Sequence, residues 1–185
     1  MDSEQRQRYQ APMVSTYYCP ETGFLDNPAM RDGTNRSQRP DILASLHNRE
    51  VFIVNSRKRN GLILFKRYHA EFAGPGAVVG GDYDSDCQCV ISIGNLSLLT
   101  PEAHDDRQKA YLIRRQWIRL IKQITENSVS SQRVQKILDQ FEQYFPPEVV
   151  AELPDVAFAM LVGVLPQTVS MVRHFGSDLD DAFDE

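Results

Sequence analysis

The stretch Leu153–Phe175, LPDVAFAMLVGVLPQTVSMVRHF, decides how this chain is read. Its small, turning and β-branched residues fall where two steeply crossing helices need them. Ala159 allows close approach of a second helix, Gly163 suits a left-handed turn, and Val169 packs between the pair. The spacing predicts a helix-turn-helix and points toward nucleic acid.

Upstream, the apolar period stays helical. Val134, Ile137, Leu138, Phe141 and Phe145 line one face of a helix that Ser130 or Ser131 can cap and Pro146-Pro147 ends. Before it, Ala110, Ile113, Trp117, Leu120, Ile121 and Ile124 form a stripe along a helix expected from Asp105 to Glu126. Leu112 and Ile118 lie off that stripe, so the helix is expected to be covered on two sides, as a dimerisation helix is. Trp117, Leu120, Ile121 and Ile124 are the expected seam.

Between Glu50 and Leu99 the texture changes to short β-rich runs. Val51–Val54, Leu62–Tyr68, Ala77–Val79, Cys89–Ile93 and Leu96–Leu99 read as strands, separated by Asn55–Gly61, Gly74-Pro75-Gly76 and Gly80-Gly81. The spacing suggests a small antiparallel barrel or sandwich. From residue 1 to 48 no period of 2 or 3.6 is sustained, apart from a possible edge strand at Met13–Cys19 and one helical turn at Pro40–Leu46.

The expected organisation is therefore α+β: an irregular segment at 1–48, a small β domain at 49–104, a linking and dimerisation helix at 105–127, a helix-turn-helix domain at 128–176 and a solvated acidic tail at 177–185.

Composition narrows the function classes. The chain has 185 residues, 42% of them hydrophobic and 24% charged, with a net charge of -5. That balance argues against a protein that coats nucleic acid nonspecifically. Bases cluster at Arg57, Lys58, Arg59, Lys66 and Arg67, and again along the long helix. No apolar run reaches the ~18 residues of a membrane span, and no leader pattern opens the chain. The three cysteines, Cys19, Cys87 and Cys89, do not form a disulfide framework, and a cytoplasmic location is expected.

In its order of parts the sequence resembles the Crp/Fnr family of bacterial transcription regulators, in which a small β-barrel feeds a dimerisation helix and then a helix-turn-helix. Within LPDVAFAMLVGVLPQTVSMVRHF, residues Ala159, Gly163, Thr168, Val169 and Ser170 match that family's pattern. FAGPGAVVGG, Phe72–Gly81, resembles the turn before its ligand cassette, and CVISIGNLSLLTPE its closing strands. The resemblance implies a homodimer that binds DNA and contacts a protein partner such as RNA polymerase.

The departures from the family shape the expectation further. Where its cyclic-nucleotide binders carry a ribose-binding glutamate and a phosphate-binding arginine, this chain has Gly81 and the acidic run Asp82, Asp84, Asp86, so no cyclic-nucleotide cofactor is expected. Three cysteines cannot supply an iron–sulfur cluster's four ligands. In the second helix Pro166 and Met171 stand where arginines often read guanine. Gln167 is left as the expected base-edge reader, with Thr168, Ser170, Arg173 and His174 facing DNA. An acidic tail stands where a β-hairpin wing is expected.

Other signals carry less. DYDSD imitates the opening of a calcium loop, but Cys87 and Ile93 occupy its glycine and glutamate positions. His47, His69, His104 and His174 lack ligand or triad spacing, and no metal, cofactor or enzymatic site is expected. The rival to a DNA-binding regulator is an interaction or adaptor protein with the same architecture, presenting Met160, Leu165 and Met171 to a protein partner.

Overall fold

The computed structural model describes residues 7–10, 17–18 and 42–180, with side chains from 42 to 174. The described chain is mixed α+β. Its strands are β1 (Gln7–Gln10), β2 (Tyr17–Tyr18), β3 (Val51–Val54), β4 (Asn60–Phe65), β5 (Ala70–Ala73), β6 (Val78–Gly80), β7 (Cys89–Gly94) and β8 (Ser97–Leu99). Its helices are α1 (Ile42–His47), α2 (His104–Thr125), α3 (Ser130–Tyr144), α4 (Pro147–Ala151), α5 (Asp155–Val162) and α6 (Pro166–Asp180). The remainder of the irregular segment and residues 181–185 of the acidic tail lie outside the described residues.

The strands form two open antiparallel sheets, ordered β1-β8-β3-β6 and β2-β7-β4-β5, and among the described residues no strand is shared to close a single barrel. Alternation sets their faces: in β3, Phe52 and Val54 are buried while Val51 and Ile53 are half-covered. Neighbours β4 and β7 are buried at every position, the polar Asn60 and Ser92 included. Phe52, Val54, Leu62, Leu64, Val79, Val90 and Leu98 meet Leu46 of α1 in one core that draws on both sheets.

One turn departs from the sequence reading, and a second falls at the expected Gly80-Gly81. The chain reverses within the expected run Leu62–Tyr68, where the Lys66 amide donates to the His69 carbonyl at 2.9 Å and opens β5. Gly80 has φ 92°, and a Cβ there would lie 1.8 Å from the Glu50 carbonyl oxygen, so β6 ends where only glycine fits.

The chain divides into two compact units, residues 1–117 and 118–185, so the boundary falls inside α2 rather than at its ends. In the second unit, neither Ser130 nor Ser131 caps α3. Val129 holds the N-cap position, and its amide donates to the Asn127 side chain at 2.9 Å. Among the described residues, no single helix is long and apolar enough to cross a membrane.

Candidate nucleic-acid interface

α5 is almost wholly apolar, and Ala157, Phe158, Ala159, Leu161 and Val162 are buried. The Phe158 ring meets Phe141 of α3 edge-on at 5.1 Å, and Phe141 in turn packs on Phe145 at 5.8 Å. Gly163 ends α5 with φ 64° and ψ 51°, the left-handed conformation the sequence assigned to it. The Val164 amide closes the turn on the Ala159 carbonyl at 3.0 Å, and the Thr168 amide opens α6 on the Leu165 carbonyl at 3.0 Å. The two helix axes are bent by 115°. Val169 sits at 0% exposure and Ala159 at 2%, as close packing of the pair requires.

Burying Val169 turns the other side of α6 outward. Gln167, Ser170, Met171 and His174 recur at i, i+3, i+4 and i+7 and so share one stripe. Gln167, Met171 and His174 are exposed and Ser170 is half-exposed, with Leu165 and Pro166 exposed just before them. Thr168 is half-buried beside the stripe. Three of the five expected DNA-facing residues are thus brought together, and Met171 joins them.

Arg173 is placed elsewhere. Its guanidinium donates to the carbonyls of Leu153 at 2.9 Å and Val150 at 3.1 Å, pairs with Asp155 at 2.9 Å, and lies 4.9 Å from the Phe158 ring centroid. Burial lowers its pKa below the usual arginine value, and the Asp155 charge opposes that shift. In place of the expected phosphate contact, both terminal nitrogens of the guanidinium, Nη1 and Nη2, are engaged by groups of its own unit.

The electrostatics of the second unit are unfavourable for bulk DNA. Residues 118–185 hold five Lys and Arg against eleven Asp and Glu. One cation stands beside the helix pair: a Cβ at Gly163 would lie 3.9 Å from Nη1 of Arg133. The Arg133 side chain donates to Ser130 Oγ at 3.2 Å, and its buried Nε has no hydrogen-bond partner. Sequence reading passed over Arg133 because it lies outside the two-helix pattern; its signal was a base in the first turn of α3.

Of the four residues expected at a dimer seam, Ile124 is buried and the other three are half-buried. Trp117 packs onto its own β domain, edge-on to Phe72 at 5.0 Å and against Gly74, and Ile124 is buried within the chain. Leu120 and Ile121 are half-buried. The apolar side chains that α2 leaves uncovered are Tyr111, Leu112 and Ile118, the last two at 56% and 43% exposure.

The acidic run after Gly81 folds into a charged cluster in the first unit. Asp84 accepts from the Gly80 amide at 2.8 Å and pairs with Lys66 at 3.2 Å and Arg114 at 3.4 Å. Arg114 also binds Glu71 at 2.6 Å, and Lys66 binds Asp86 and the Tyr83 carbonyl. Burial disfavours the Lys66 charge, but the Asp86 and Asp84 carboxylates outweigh it and hold its pKa above the ordinary lysine value. Glu71 is likewise penalised by burial, yet Arg114 draws its pKa below the usual carboxylate range.

The neighbouring Cys87 is buried and free. Its thiol is pushed up to about 12 by burial and the Asp84 charge, which makes it a poor nucleophile. Cys89 is disulfide-bonded, against the expectation that the three cysteines suit a reducing compartment, and its partner lies outside the described residues.

No protein-family model, curated protein or solved structure matches the chain.

Proposed function

We propose that the chain is a non-enzymatic, homodimeric transcription regulator that contacts DNA through α5 and α6 as a helix-turn-helix, in the manner of a shortened Crp/Fnr-type protein. One observation carries the reading: two helices cross at 115° on a left-handed glycine while the second keeps an uncovered stripe. Helix-turn-helix pairs cross at about 90–120° and place the second helix in the major groove. On this reading Gln167 is the base-edge reader, Ser170 and His174 flank it, and Arg133 stands at the turn as a cation for phosphate.

The absence of Lys and Arg from the α6 stripe makes sequence contacts, rather than phosphate neutralisation, the main source of affinity. The test is capture of genomic fragments by the full chain at about 50 mM salt, followed by titration of the captured sequence with wild type and Gln167→Ala. A bound fragment whose discrimination falls by about 1–3 kcal/mol in Gln167→Ala supports the reading. No binding to any fragment at low salt rejects it.

A second reading, a protein-interaction module of the same architecture, is favoured by the acid excess of residues 118–185 and the exposed Leu165 and Met171. It expects partner capture that is lost in Leu165→Ser and Met171→Ser without any DNA binding in wild type.

A further inference from the structure

Asp84 is 2% exposed, a degree of burial at which a carboxylate needs compensating partners. Three donors from separate elements converge on it: the Gly80 amide at the end of β6, Lys66 in the β4–β5 turn and Arg114 on α2. Of the charges in the cluster, Lys66, Asp84 and Arg114 are buried, whereas the Glu71 and Asp86 side chains are 29% and 70% exposed and reach water, as does His69 beside Glu71. The buried centre therefore consists of two cations and one anion, and without the anion the cations would repel across a site of low dielectric.

The same cluster determines where α2 lies on its own domain. Ile113, Arg114 and Trp117 fall on one face of the helix. Ile113 packs against Gly76, Trp117 against Gly74 and Phe72, and between them Arg114 passes to Asp84, Glu71 and the Val78 carbonyl. The apolar contacts on either side are shape-dependent but carry no charge requirement. The Arg114 contact does.

We propose that Lys66, Arg114 and the Gly80 amide form a small-anion site that the chain fills with its own Asp84 carboxylate, seating the first half of α2 without a diffusible ligand. The ligand class is a carboxylate-sized oxyanion: one oxygen meets the amide and Lys66–Arg114 take the charge. Asp84 acts as a resident ligand delivered by the turn that follows Gly81. The proposal is independent of whether α6 meets DNA, since its readouts are stability and helix protection.

Chemical rescue in the full-length chain tests it. Asp84→Ala keeps Cβ and removes a fragment the size of formate, so its Tm should fall by roughly 10 °C in chloride. Replacing chloride by formate at the same ionic strength should restore much of that loss with a saturating dose curve, while wild type stays unchanged. Equal response to formate and chloride, an equal formate effect on wild type, or no rescue of the folded variant overturns the proposal. Asp84→Asn, which leaves an oxygen for the Gly80 amide but no charge, serves if Asp84→Ala does not fold. Its amides at 110–117 should exchange about tenfold faster than in wild type, and unchanged exchange overturns the proposal.

Discussion

The guanidinium carbon of Arg173 lies 4.9 Å from the centre of the Phe158 ring, so the second helix of the crossing pair is stacked on the first by a cation. Two backbone carbonyls and Asp155 take its N–H groups. Arg173→Ala is expected to destabilise the chain by about 2–4 kcal/mol in urea titrations. The salt slope of any DNA binding should stay the same, whereas a lost phosphate contact would lower it by about one. Arg173→Lys keeps the Asp155 pair but not the fork geometry and should recover less than half the loss.

Two glycines with positive φ should respond very differently to alanine. At Gly163 the added methyl finds only Arg133 within reach, at 3.9 Å, so the left-handed conformation alone should cost about 1–2 kcal/mol. At Gly80 the methyl would fall 1.8 Å from the Glu50 oxygen, and Gly80→Ala should not accumulate as folded protein. Thermal melts of purified Gly163→Ala and the soluble yield of Gly80→Ala check the contrast.

The cluster around Asp84 predicts losses of stability at both pH extremes. Glu71 and Asp86 titrate below their unfolded values, so their contribution is complete above about pH 4.3 and is lost as pH falls through the folded values. Lys66 titrates above its unfolded value; its contribution is complete below about pH 10.4 and is lost as pH rises through the folded value. Urea midpoints should therefore be flat from about pH 4.3 to about pH 8.5, above which the unfolded Cys87 thiol ionises while the buried one, pushed up to about 12, does not. Glu71→Gln should flatten part of the acid limb and leave the alkaline limb in place.

If α2 pairs with a second copy, the contact lies on Tyr111, Leu112 and Ile118 rather than on Trp117 and Ile124. Leu112→Glu with Ile118→Glu should convert dimer to monomer in sedimentation with little change in Tm of the monomeric fold. Trp117→Ala should do the reverse, lowering Tm by an amount equivalent to about 3 kcal/mol through its lost packing on Phe72 and Gly74 while leaving the oligomeric state unchanged.

Met171 is 55% exposed on the α6 stripe, so a longer polar side chain there can extend into solvent. Met171→Arg is expected to raise affinity for duplex DNA and steepen its salt slope by up to about one unit, with an unchanged Tm. Fluorescence anisotropy at two salt concentrations reads both.

Much of the fold was legible because its periods are local. β3 lies where alternation put it, α2 lies within one residue of the expected Asp105–Glu126, α3 begins at Ser130 and ends before Pro146-Pro147, and Gly163 and Val169 take the backbone and burial their spacing demanded. β5 escaped because Lys66–His69 reads as a continuation of β4, and its reversal depends on a backbone hydrogen bond rather than a Gly or Pro. The site was legible as a stripe but not residue by residue. Arg173 looked solvent-facing by composition, yet the carbonyls left open near Val150 and Leu153 reach it only through the tertiary crossing. The acidic run read as repulsive because its cations, Lys66 and Arg114, are distant in sequence.

The acid excess of residues 118–185 bears on how a regulator of this kind would find its target. Proteins rich in surface cations hold loosely to any duplex and scan along it, so their search is partly one-dimensional. A helical unit that is itself polyanionic is repelled between encounters and samples sites by separate collisions from solution. On the proposed reading, genomic DNA would scarcely titrate the free protein, and occupancy at its target would follow cellular concentration directly.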